Sequence, residues 1–189
     1  MQILRAAAHR TMPWKNGGGS TTEIAVAPDG AGLDDFDWRI SMAVVAADGP
    51  FSAFPGVDRT LAVLQGNGLV LHGLPGGPVR LERGAAPFAF PADAAVSATL
   101  PDGPITDLNV MTRRGRFRSR VRRIAGSATL DAGTAIAFVL ADTPCRAAVD
   151  VTAPLDLARH DALRLDRAAG LPVTIAGGSA WLIELLPDQ

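Results

Sequence analysis

The chain has 189 residues, 48% of them hydrophobic and 20% charged, with a formal net charge of −1, which suits one domain or two small fused ones with a real core and gives no field to draw in nucleic acid or an anionic membrane. Its single cysteine, Cys145, cannot close an internal disulfide, as expected of a protein in a reducing cytoplasm. No secretory leader is expected from MQILRAAAHRTM, and the longest clean apolar run, AIAFVLA (135–141), is far short of the roughly 20 residues that span a bilayer.

From the N-terminus, the first informative stretch is PWKNGGGSTTEIAV (13–26). Pro13 stiffens its entry and the glycines permit close backbone approach, so 13–19 reads as a shaped loop before a strand. It holds Lys15, the only lysine beside 17 arginines. Lysine is a compact charge without a planar fork, suited to a narrow pocket that holds a ligand carboxylate; simple surface exposure is the plainer alternative. In a P-loop the lysine follows the glycines and a helix comes next. Here the order is reversed, so phosphate cradling fits poorly.

Strands are predicted near 21–27, 37–46, 60–65, 68–73, 96–100, 105–112, 116–122, 134–140, 146–151, 163–166, 172–176 and 180–186, separated by turns such as Asp29-Gly30, Pro55-Gly56, Gly66-Asn67-Gly68 and Asp102-Gly103. Many short strands with regular turns indicate an all-β sandwich or barrel. Only 31–36 and 155–160 read as short helices. The best seam between two halves is IAGSATLDAGT (124–134).

Alternation along three strands separates two kinds of face. Thr21 and Glu23 oppose Thr22, Ile24 and Val26. Arg39 and Ser41 oppose Trp38, Ile40, Met42 and Val44. Asp107, Asn109 and Met111 oppose Leu108 and Val110. A solvated sheet surface is the default for any one polar face, yet Glu, Arg and Asp among Thr, Ser and Asn lack the long mixed charges of such a surface. In a closed barrel these faces line the interior and form a small-molecule pocket. Phe51, Phe54 and Pro55 supply an apolar lip, and Arg59 a bidentate grip for a carboxylate, unless it pairs locally with Asp58.

WKNGGG with Thr21 and Glu23, then DWRIS, DGPFSAFPGVDR and DLNVMTRRG, occur in that order and together resemble the HutD/Ves family of small cupin-fold proteins, over at least 12–115. The resemblance implies a double cupin, two β-barrel halves in a single domain over 1–189, about 1–124 and 125–189, with room for strands exchanged between them. It also implies an association with histidine utilisation and a role in moderating it, by sensing or sequestering urocanate, formate or a formylated amino acid. The matching positions are Trp14, Lys15, Asn16, Gly17, Thr21, Glu23, Arg39, Ser41, Arg59, Asp107, Asn109 and Met111. In this reading Lys15 or Arg59 neutralises a carboxylate, Asn16 and Asn109 give hydrogen bonds, and Trp14 forms a flat wall.

Other chemistries fit less well. Metal-binding cupins group two or three histidines with a carboxylate. His9, His72 and His160 are scattered without an HxH pair, so no metal and no cofactor is expected. A barrel-borne enzyme using Glu23 or Asp107 as general base is the alternative function. Ser20 and Ser41 lack a histidine at a telling spacing, and Cys145 reads as a small hydrophobe. RRGRFRSRVRR (113–123) carries seven arginines and reads as a solvated edge or connector, with a homodimer contact and nucleic-acid binding as lesser alternatives. The expected partner is a small carboxylate, with neither nucleic acid nor membrane.

Overall fold

The computed structural model describes residues 1–15 and 17–188. Among these, every regular element is a strand apart from one 3-10 turn at Ala6–Ala8. In chain order the strands are β1 (Gln2–Leu4), β2 (Arg10–Pro13), β3 (Gly19–Ala27), β4 (Trp38–Val45), β5 (Gly49–Pro50), β6 (Val57–Gln65), β7 (Leu69–His72), β8 (Val79–Leu81), β9 (Phe88–Pro91), β10 (Ser97–Thr99), β11 (Ile105–Arg113), β12 (Phe117–Ile124), β13 (Ser127–Thr129), β14 (Ile136–Ala141), β15 (Cys145–Val149), β16 (Leu155–Leu157), β17 (Ala162–Asp166), β18 (Pro172–Ala176) and β19 (Ala180–Pro187).

They form two compact units. One spans residues 10–116, and the other joins residues 1–9 to 117–189. The chain thus passes from one unit to the next at 116/117, ahead of the 124–134 seam expected from sequence, because β12 already pairs along its whole length with β19.

The unit of residues 10–116 stacks a six-stranded antiparallel sheet, β2-β3-β4-β11-β6-β9, on a four-stranded one, β5-β10-β7-β8. Ala43, Leu61, Val63 and Phe90 of the larger sheet pack with Leu69, Leu71, Leu81 and Ala98 of the smaller. Gly66-Asn67-Gly68 carries the chain between the sheets. Gly68 has φ +97°, and a Cβ there would collide with the Leu81 carbonyl, so only glycine allows so abrupt a change of sheet.

The other unit pairs β1-β17-β14-β19-β12 with β13-β18-β15-β16. Its core is built from Ala137, Val139, Leu163, Leu165, Val173, Ile175 and Leu182. β1 joins this unit by pairing Gln2–Leu4 against Ala162–Arg164.

Neither expected helix exists. Residues 31–36 run as turns, with Phe36 buried and Leu33 exposed, too few apolar contacts for a helical stripe. In 155–160 the apolar residues Leu155 and Leu157 alternate, and the segment forms β16. The short strands β1, β2, β5, β8, β9, β13 and β16 were not legible as strands.

Candidate functional site

The polar residues singled out from sequence fall into three rows across the larger sheet of residues 10–116, all on the face turned toward the smaller sheet. Thr21, Ala43, Asp107 and Val63 align in the first row. Glu23, Ser41, Asn109 and Leu61 align in the second, and Val26, Arg39, Met111 and Arg59 in the third. β9 extends the third row by setting Phe90 beside Arg59.

Two irregularities make these rows. The register of β3 shifts between Glu23 and Ala25, so Ile24 is an extra residue. Val26 therefore changes sides, leaves the face expected from strict alternation, and joins Phe36, Val57 and Met111 in an apolar cluster. A second shift, at Thr106/Asp107 against Gln65/Val63, makes Leu64 the extra residue beside Asp107. A bulge re-aims the side chains after it.

The charges on this face are paired unequally. Arg39 is buried, and its Nε donates to Glu23 Oε2 at 2.7 Å; the Glu23 side chain keeps 22% of its exposure. Arg59 is also buried. Its guanidinium carbon lies 4.9 Å from the Phe51 ring centre, 5.5 Å from Phe54 and 5.8 Å from Phe90. Its Nη2 donates to the Ser52 carbonyl at 3.1 Å, while its Nε has no hydrogen-bond partner. Burial lowers the Arg59 pKa to about 10, with Asp107 opposing and Arg39 reinforcing the shift.

Asp107 has no exposed surface. Its Oδ1 accepts from Asn109 Nδ2 at 2.6 Å, and its Oδ2 has no hydrogen-bond partner. Burial pushes its pKa up to about 7, against the pull of Arg59, the Ala43 backbone and Asn109. A carboxyl group that titrates near neutrality beside a desolvated arginine can hold or release a proton.

The remaining candidates lie around this group. Trp14 Nε1 donates to Thr21 Oγ1 at 2.8 Å, which ties the 13–19 loop to β3, and its ring packs against the apolar core between the sheets. At Gly19 a Cβ would collide with the Val44 carbonyl and press on the Trp14 ring. Gly17 takes φ +71°. Lys15 is exposed, unlike the two arginines, and Asn16 lies outside the described residues. Ser41 is buried in the Glu23 row, and Met111 is buried in an apolar cluster. Arg59 does not pair with its neighbour Asp58, which takes Arg114 at 3.0 Å. Phe90 was missed in sequence; the alternation of Phe88 and Phe90 in FAFP, with both rings packed into the core, was the signal.

The histidines stand elsewhere. His72 shares the face of β7 away from Leu69 and Leu71, where its Nε2 meets Thr99 Oγ1 at 3.1 Å. His9 and His160 belong to the other unit. Among the described residues no three His, Cys, Asp or Glu side chains are grouped to hold a metal ion. The arginine-rich strand β12 is an edge strand whose cations find acids in their own unit: Arg118 with Asp188, Arg120 with Asp131, Arg122 with Glu184 and Arg123 with Asp142. Among the described residues no helix is long and apolar enough to cross a membrane.

The HutD family model matches residues 6–183. The chain belongs to the HutD family. An uncharacterized 21.2 kDa protein in the hutC 3′ region of Pseudomonas putida is 38% identical over 98% of this chain and 97% of its own length. Protein Ves of Citrobacter koseri is 44% identical over 60% of each chain. The solved structure of HutD from Pseudomonas fluorescens SBW25, in a formate condition, superposes with a TM-score of 0.84 at 35% identity, covering 100% of this chain and 99% of that one. The HutD fold is the cupin β fold, and the family is associated with histidine utilisation. In this family fold, the three rows and the Arg59 cage make one face that holds two buried arginines, Arg39 paired with Glu23 and Arg59 without a direct carboxylate partner among the described residues.

Proposed function

We propose that the chain binds a small carboxylate on the inner face of the 10–116 unit and so moderates histidine utilisation, by sensing or sequestering urocanate, formate or a formylated amino acid. One observation carries this reading. Arg59 is desolvated in a cage of three phenylalanines with its Nε unpartnered, and an unpartnered buried donor costs free energy that an anion would recover. The formate condition of the Pseudomonas fluorescens structure supports a small carboxylate as the first ligand to try. Lys15, exposed on the loop, serves in this reading as an outer charge that steers the anion and not as its main partner.

The test is a thermal-shift titration against urocanate, formate, formylglutamate, glutamate and histidine. A ligand at 100 times its Kd adds about 2.7 kcal/mol of stability, readily seen as a rise in Tm. The shift is expected to vanish in Arg59→Ala and in Arg59→Lys, which keeps the charge without the planar fork, and to persist in weakened form in Lys15→Ala. Stable wild-type protein that none of the five shifts would end the carboxylate reading.

A second reading rests on Asp107. A carboxyl group that titrates at about 7 is matched to proton transfer at neutral pH, as in an isomerase, lyase or hydrolase that uses Asp107, or the more exposed Glu23, as general base. Conversion of any shifting ligand during prolonged incubation, abolished in Asp107→Asn, would favour it.

A further inference from the structure

The inner face holds two arginines and two carboxyl groups that divide into unlike pairs. Arg39 and Glu23 form a direct ion pair at 2.7 Å. Arg59 has no carboxylate in direct contact. Asp107 acts on it only through space, and both groups keep an unpartnered atom, Arg59 Nε and Asp107 Oδ2. Among the described residues, the groups that the neighbouring strands set beside Asp107 supply no other counter-charge. β4 contributes Ala43 and Arg39, β6 contributes Val63 and Arg59, and β3 contributes Thr21 and the already paired Glu23. From β2, Arg10 lies opposite Glu23 and is exposed. The facing sheet sends Leu69, Leu71, Leu81 and Ala98, and its His72 lies on the opposite face of β7.

With Asp107 ionised, the four charges on this face cancel. With Asp107 protonated, Arg59 is left as one uncompensated cation in an apolar cage. A ligand anion brought to Arg59 competes with the Asp107 carboxylate for the same guanidinium, in surroundings where two negative charges beside one positive charge are costly. We propose that the site takes up one proton with each carboxylate it binds, Asp107 being the proton acceptor and the ligand replacing it as the counter-ion of Arg59. The ligand stays noncovalent; the only transfer is of one proton, from solvent or buffer to a carboxylate oxygen of Asp107 on binding and back again on release.

This inference rests on the carboxylate reading above and adds a regulation to it. Occupancy falls as pH rises above neutrality, because Asp107 ionises near that point in the free protein and the bound anion lifts its affinity for the proton further. By linkage, the anion and the proton favour each other by the same factor.

The experiment is calorimetric titration of the intact chain with formate, which has no group that titrates between pH 6 and 9, in two buffers of unlike ionisation enthalpy. At pH 8 the buffer difference should report uptake approaching one proton per formate, falling toward zero at pH 6. Affinity should weaken about tenfold per pH unit above neutrality. Asp107→Asn should bind formate with one affinity across the range and no proton uptake. Glu23→Gln should keep the pH slope whatever its affinity, which separates Asp107 from the other carboxyl group on the face and keeps the test open if Asp107→Asn does not fold. Formate binding with equal affinity at pH 6 and 9 and no proton exchange would overturn the coupling while leaving the carboxylate reading intact. No binding of formate or of any other carboxylate tried above, even at pH 6, would overturn both.

Discussion

Asp107 shows how one side chain acquires its properties from neighbours far away in the chain. In isolation it is one more acid in TDLNVM; on β11 it sits with no exposed surface, one oxygen on Asn109 and the other unpartnered. Its pKa is raised from 3.8 to about 7, chiefly by burial. A carboxyl group raised in this way favours the folded state most at pH values below 3.8, and that contribution is lost as pH rises through about 7. Replacement by asparagine keeps an oxygen for the Asn109 amide and removes the titration. The stability of Asp107→Asn relative to wild type is therefore expected to rise between pH 5 and pH 8, as measured by urea denaturation. A constant difference across that range would show that the buried carboxyl is not the titrating group. Arg59 makes the complementary point. Its place beside Asp58 in sequence suggests a turn ion pair, yet the strand points the two in opposite directions. Asp58 takes Arg114, while Arg59 enters the phenylalanine cage.

Strand periodicity explains both the successes and the misses of element prediction. Arg39, Ser41, Asp107 and Asn109 were readable as one kind of face because side chains alternate strictly along β4 and β11. The extra residue Ile24 in β3 interrupts that alternation and turns Val26 inward. Nothing local in TEIAV announces a bulge, which is defined by the partner strand. The loop before β3 depends on a close approach that does have a sequence signal, the glycine run. At Gly19 the backbone passes against the Val44 carbonyl and the Trp14 ring. Gly19→Ala is expected to cost about 1–3 kcal/mol through overpacking and to weaken carboxylate binding by displacing the 13–19 loop. An unchanged Tm together with unchanged affinity would mean that the loop accommodates the methyl group and does not position the site.

At the scale of the whole molecule, β1 belongs to the unit made otherwise of residues 117–189. Asp161 secures it there. Its Oδ1 accepts from the Ala6 amide at 2.8 Å, and its Oδ2 accepts from Arg5 at 2.7 Å and from the Ala158 amide at 3.0 Å. Burial acts to raise its pKa, but these hydrogen bonds prevail and hold it below 3.8. Such a group stabilises the fold above its unfolded pKa, and the contribution is lost as pH falls through the folded value. Asp161→Ala is thus expected to cost about 1–3 kcal/mol at pH 7, where the part-buried Ala6 and Ala158 amides and Arg5 lose their acceptor, and much less near pH 3. An equal cost at both pH values would show that the ionised carboxylate does not anchor β1.

Sequence alone determined the all-β class, most of the longer strands, the family, and which residue types share a face, because strand alternation, turn glycines and ordered motifs are local properties of the chain. Tertiary structure decided the pairing of the polar side chains. Arg59 and Asp107 are 48 residues apart, and which cation answers which acid depends on strand register, two bulges and a facing sheet of leucines. Those are relations between distant segments, and the electrostatics of a buried charge follows from everything packed around it and not from its neighbours in sequence.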